Sequence, residues 1–170
     1  MDRALVIYES MFGNTRTIAE AVGEGLADRF ATQVVEVGEA PTSIDGGITL
    51  LVVGGPTHSF GLTRASTRED AAGRAEGRIV SARIGLREWL GAIARSQIGA
   101  ATFDTRIDRP RVPGSAAKGA EKRLRRLGFH IVAPAESFYV NGTEGPLVAG
   151  EAERARRWAA ELLPLPSTVR

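Results

Sequence analysis

Within seven residues the chain places two hydroxyls, a glycine and a side-chain amide, in the order Glu9-Ser10-Met11-Phe12-Gly13-Asn14-Thr15. Between an apolar strand and a helix, such a loop suits a phosphate. Free backbone N–H groups and the positive end of the helix face the anion, while Ser10 and Thr15 donate further hydrogen bonds. The loop holds no Lys, and the chain contains neither Gly-x-x-x-x-Gly-Lys-Ser/Thr nor Gly-x-Gly-x-x-Gly, so triphosphate and dinucleotide loops are excluded. A terminal monophosphate is the expected ligand, and a capped turn with no ligand is the alternative.

A second loop, Gly55-Pro56-Thr57-His58-Ser59-Phe60-Gly61, follows another apolar run and carries hydroxyls, an imidazole and a ring. Read by itself it is a ligand wall or an ordinary loop, with Phe60 in the core and His58 exposed. Glu9 and Asp104 stand at strand ends, where a lone carboxylate is more often a cap than an acid or base. His130 reads as structural. The absence of cysteine removes disulfides, thiolate metal sites and cysteine nucleophiles. No side chain is assigned a catalytic role.

The elements that must position these loops follow from periodicity. Residues 4–8 form a short apolar run suited to a strand buried on both faces. Ile18, Val22, Leu26 and Phe30 recur every four residues as a helix stripe, with Asn14 or Thr15 as its cap. Further strands are expected at 33–37, 49–53, 100–103 and 131–140. Pro134 removes a ladder donor, which assigns the fifth strand to a sheet edge. A capping box at Ser66-Thr67-Arg68-Glu69 opens a helical region in which Leu86, Trp89, Leu90 and Ile93 form a face. Ser115 caps a helix with Ala117, Ala120 and Leu124 inward, and Ala152, Ala155, Trp158, Ala159 and Leu162 mark the last helix. Alternating strands and helices predict an α/β doubly wound sandwich around a parallel sheet. Its ligands would lie beyond the carboxyl ends of the strands, at the loops after strands one, three and four.

Ser10-Met11-Phe12-Gly13-Asn14-Thr15, with Ile18-Ala19 behind it, resembles the phosphate signature of the flavodoxins, and residues 55–61 resemble their next flavin loop. The resemblance implies a five-stranded parallel sheet of order 2-1-3-4-5. It also implies bound FMN, with Ser10, Met11, Phe12, Gly13, Asn14 and Thr15 around the phosphate. Pro56, Thr57, His58, Ser59, Phe60 and Gly61 would lie against the isoalloxazine, joined by Thr105 and Arg106 from the loop after strand four. An electron-carrying flavoprotein is the activity this implies. An NAD(P)H-dependent FMN quinone reductase and a cofactor-free interaction module are the alternatives. The chain departs from the family pattern in three ways: Phe12 stands where Thr or Ser is usual, residues 105–115 hold no aromatic ring, and the charge is not strongly acidic. An arginine at 106, 109 or 111 turned toward the flavin would favour its negatively charged reduced form. Receiver domains share the architecture, but the acidic cluster and the strand-five lysine that they need are missing.

A chain of 170 residues with 43% hydrophobic and 25% charged residues fits a single folded domain spanning residues 1–170 and excludes a disordered chain. Charge is uneven. Residues 1–60 hold three Arg against eight acids, whereas 106–126 hold eight basic residues against two acids. The basic stretch, with Lys118, Lys122, Arg123, Arg125 and Arg126, would attract an acidic redox partner or the phosphates of NAD(P)H, or else be a solvated face. Nucleic acid is excluded as a partner because no aromatics interleave with these charges. The amino terminus runs straight into an apolar strand and no apolar run reaches membrane-spanning length, so the expectation is a cytoplasmic protein.

Overall fold

The computed structural model describes residues 1–58, 61–75, 79–108 and 114–164. In chain order the elements are β1 (Asp2–Tyr8), α1 (Asn14–Leu26), β2 (Phe30–Glu36), β3 (Ile48–Pro56), α2 (Ala65–Arg74) and α3 (Leu86–Ala92). They continue with β4 (Gly99–Ile107), α4 (Ala116–Arg126), β5 (His130–Ile131), β6 (Glu136–Val140) and α5 (Glu151–Ala160). All strand pairings are parallel, in the order β2-β1-β3-β4, with β5 and then β6 beside β4. The expected order 2-1-3-4-5 holds, with the fifth position divided into two short strands. Pro134 falls in the gap between them, at the sheet edge that its missing N–H requires.

Three local expectations are corrected. Phe30 opens β2 and does not close α1, which ends at Leu26; burial of the ring, 2% exposed, produced the same spacing from a different element. The cap of α1 is Gly13 in the left-handed region, and neither Asn14 nor Thr15 fills that position. The residues 66–69 lie inside α2, whose cap is Arg64, with the Arg64 amide donating to Thr67 Oγ1 at 2.8 Å.

Alternation along β1 divides the core. Ala4, Val6 and Tyr8 face the layer of α1 and α5, while Leu5 and Ile7 face Leu86, Trp89 and Leu124 of α3 and α4. Burying each large apolar side chain contributes roughly 1.5–3 kcal/mol, so a central strand sealed on both sides is a rigid base for the loops at its end. Phe103, Phe138 and Trp158 meet edge to face at centroid distances of 5.8–6.2 Å and lock β4, β6 and α5 together. Phe103 lies across Gly54, where a Cβ would stand 2.0 Å from the ring; only glycine admits this approach. The register sets Tyr8 beside Gly54 and Pro56 beside Thr105. The carboxyl ends of β1, β3 and β4 therefore open onto one rim.

Candidate functional site

Glu9 and Ser10, the first residues past β1, are almost wholly buried. Glu9 accepts from Thr63 Oγ1 at 2.6 Å and from the Leu86 amide at 2.7 Å, so it caps α3 as a lone strand-end carboxylate is expected to. Burial pushes its pKa up, and those two bonds pull the other way. Ser10 Oγ accepts from the Gly13 amide at 3.1 Å, and the Ser10 amide donates to Ser81 Oγ at 2.9 Å. The returning chain bonds to the same loop, Ser81 N to Ser10 O at 2.7 Å and Val80 N to Met11 O at 3.0 Å. Gly13 has φ +97°, a conformation that costs an L-residue roughly 1–2 kcal/mol.

These contacts leave the remaining amides uncommitted. Among the described residues nothing accepts from the N–H groups of Met11, Phe12, Asn14, Thr15 and Arg16. Five donors at the positive end of a 13-residue helix form a receptor for a multiply charged oxyanion. Ser10 Oγ also keeps its proton to donate. Phe12 brings no hydroxyl, and the loop meets an anion chiefly through its backbone.

The second and third walls are bonded to each other. The Thr57 amide donates to Thr105 O at 2.9 Å, and Thr57 Oγ1 donates to Asp104 Oδ2 at 3.0 Å while accepting from the Ala116 amide at 2.9 Å. Asp104 Oδ2 also accepts from Ser115 Oγ and the Ala117 amide, so this carboxylate caps α4, and its buried Oδ1 has no donor among the described residues. His58 and Gly61 exchange backbone bonds of 2.9 and 3.1 Å. Arg106 Nη1 donates to Gly114 O at 2.8 Å.

A cavity of about 350 Å³ lies among these loops. Ser10, Met11, Phe12, Asn14 and Thr15 line it from the first loop, Pro56, Thr57 and His58 from the second, and Thr105 and Arg106 from β4. Gly13 shapes the first loop through its backbone, and Gly61 closes the second. Ser59 and Phe60 lie outside the described residues, as do Arg109 and Arg111. The sequence reading missed Thr67, Asp70, Ala71 and Arg74, which line the cavity from α2, as well as Ile107, Val140 and Thr143. The α2 residues follow the i, i+3, i+4, i+7 spacing of one helix face, but three are polar or charged, and an apolar stripe was the signal sought. Thr143 belongs to the turn after β6, which the Asn14 side chain holds by donating to Glu144 O at 3.1 Å.

Two opposite charges of the cavity lie side by side on one helix. Asp70 and Arg74 pair at 3.6 Å on α2. Burial lowers the His58 pKa below its ordinary value, Arg74 lowers it further and Asp70 raises it. His58 is therefore a neutral imidazole at pH 7, able to donate or accept.

The flavodoxin family model matches residues 6–87, from β1 into the first turn of α3. Over that segment the chain resembles the flavodoxins. Solved flavodoxins share its architecture over nearly the whole length. Oxidised flavodoxin 1 from Bacillus cereus is 16% identical, with a TM-score of 0.67 over 94% of this chain and 95% of that one. Flavodoxin 2 from the same organism is 19% identical, with 0.64 over 92% and 94%. A flavodoxin from the domain Archaea is 16% identical, with 0.62 over 93% and 94%. No curated protein sequence matches the chain. The matched segment contains the first two loops of the cavity and α2, whereas Thr105 and Arg106 lie beyond it. Among the described residues no helix is long and apolar enough to cross a membrane.

Proposed function

We propose that this chain is a flavodoxin that binds FMN and carries electrons between partner proteins. The observation that carries the reading is the set of five amides without acceptors at residues 11, 12, 14, 15 and 16, beside a cavity walled by all three expected loops. They fit the phosphate, with Ser10 and Thr15 as side-chain partners, while Pro56, Thr57, His58, Thr105 and Arg106 face the ring system. The bound flavin supplies the redox chemistry, accepting and releasing one or two electrons. The protein's part is to hold it, exclude water from the cavity and set the local charge. The basic residues of α4, Lys118, Lys122, Arg123, Arg125 and Arg126, favour an acidic redox partner through long-range attraction. Visible absorption of the purified protein, followed by titration with FMN and riboflavin, tests the assignment. FMN binds well ahead of riboflavin if the phosphate is held by the loop; equal affinity for the two removes it.

A second reading, an NAD(P)H-dependent FMN quinone reductase, is favoured by α2. Its Thr67, Asp70, Ala71 and Arg74 flank the cavity and make it a space in which a small substrate could be enclosed. Steady-state oxidation of NAD(P)H by a quinone separates the readings: turnover supports the reductase, and its absence with retained FMN supports the carrier.

A further inference from the structure

Outside the cavity, three arginines are gathered around one dipeptide, Leu62-Thr63, where the chain leaves the second loop. Arg87 donates from Nη2 to Leu62 O at 2.9 Å and from Nε to Thr63 O at 3.2 Å, which fixes its guanidinium against the backbone. Arg64 is the next residue in the chain. Arg123 comes from α4, where its Nη1 lies 3.5 Å from Gly119 O. Gly119 in turn faces Leu62, close enough that a Cβ on it would stand 3.7 Å from Leu62 Cδ1.

Two of these charges act on the third, Arg87. Burial lowers the Arg87 pKa first, and Arg123 and Arg64 lower it further. Glu88, the carboxylate that Arg87 feels, is already paired with Arg68. Among the described residues neither Arg64, Arg87 nor Arg123 belongs to a salt bridge. Like charges gathered at one dipeptide are relieved by an anion, and the guanidinium fork matches phosphate oxygens better than any other side chain does. Arg87 is held in place before a ligand arrives, which lowers the ordering cost for a small dianion.

We propose that Arg64, Arg87 and Arg123 form a binding site for a phosphomonoester carried by a small molecule, separate from the cavity lined by Ser10 and Thr15. The inference does not depend on flavin binding. It would give a phosphorylated nucleotide, such as the 2′-phosphate end of a nicotinamide reductant, an anchor beside the second loop.

Isothermal titration of the full chain, pre-incubated with excess FMN, tests the site with 2′,5′-ADP and inorganic phosphate at matched ionic strength. Saturable binding is expected for either probe, weakened roughly tenfold in Arg64→Gln and in Arg123→Gln and unchanged in Lys122→Gln on the same helix. Binding that survives Gly13→Ala but not Arg64→Gln places the anion at this cluster whether or not FMN is held. Tighter binding of 2′,5′-ADP than of phosphate identifies a nucleotide source, and equal binding identifies phosphate itself. An absence of saturable binding overturns the proposal, as does an equal loss in Lys122→Gln, which would mean general screening. So does binding of poly-glutamate alone, which would make the cluster a protein-docking face.

Discussion

The hydroxyls of Thr15 and Thr105 lie 2.7 Å apart in a buried contact that joins the first turn of α1 to the end of β4. One hydroxyl donates and the other accepts, so each is the other's partner in the wall of the cavity. Removing one leaves the other unpaired, at a cost of about 1–3 kcal/mol, whereas removing both is far cheaper. Thr15→Val and Thr105→Val should each lower the urea midpoint, and the double variant should recover part of the loss. Strictly additive losses in equilibrium denaturation would show that the two hydroxyls do not depend on each other.

Gly13→Ala tests the phosphate loop through its backbone. At φ +97° an added Cβ meets no neighbour within 4 Å, so any effect comes from conformational strain and not from collision. The variant should lose roughly 1–2 kcal/mol either as stability or, by shifting the loop, as flavin affinity. FMN affinity should fall while riboflavin affinity stays level. If both ligands weaken equally in fluorescence titrations, Gly13 shapes the cavity generally and does not serve a phosphate.

The sheet order and both principal loops were legible because they rest on short-range patterns. The continuous apolar run at 4–8 marks a strand buried on both faces, and Ser10 through Thr15 sits directly beyond its end. Glu9 and Asp104 were legible as caps, and the structure places them on the first amides of α3 and α4. The boundary at Phe30 was not, since a buried ring continues a four-residue stripe equally well from a helix or a strand. The α2 wall was hidden for a different reason. Its cavity face is Thr67, Asp70 and Arg74 around a single buried Ala71, and a polar face reads as solvent-exposed unless its neighbour is known. The phosphomonoester cluster brings together Arg64, Arg87 and Arg123 from three segments, a proximity that no local pattern carries.

Glu151 supplies a pH signature of folding. It accepts from Arg154 and from the Tyr139 amide at 2.8 Å, and Arg154 also pairs with Glu136 and lies over the Phe138 ring. The hydrogen bond from Arg154 is the largest influence holding the Glu151 pKa below its ordinary 4.5. A lowered folded-state pKa means stability that is present above the unfolded value and is lost as pH falls through the folded one. Glu151→Gln should therefore be less stable than the parent at pH 7, by about 1–3 kcal/mol for a charge-assisted bond. The gap should close as both are taken below pH 4.5. Urea midpoints at several pH values measure it, and a gap independent of pH would remove Glu151 from this role.

His58 reports the electrostatics of the cavity directly. Its pKa is lowered chiefly by burial, then by the positive charge of Arg74, with Asp70 acting in the opposite sense. Arg74→Gln removes a charge that disfavours the imidazolium, so the His58 titration should move upward. Asp70→Asn removes a charge that favours it, so the titration should move downward. The two residues also pair with each other at 3.6 Å, and each change frees the other charge to act on His58, which reinforces both shifts. NMR titration of the His58 ring resolves them. Opposite shifts in the two variants would place α2 against the cavity in solution, and no shift in either would move the helix away from it.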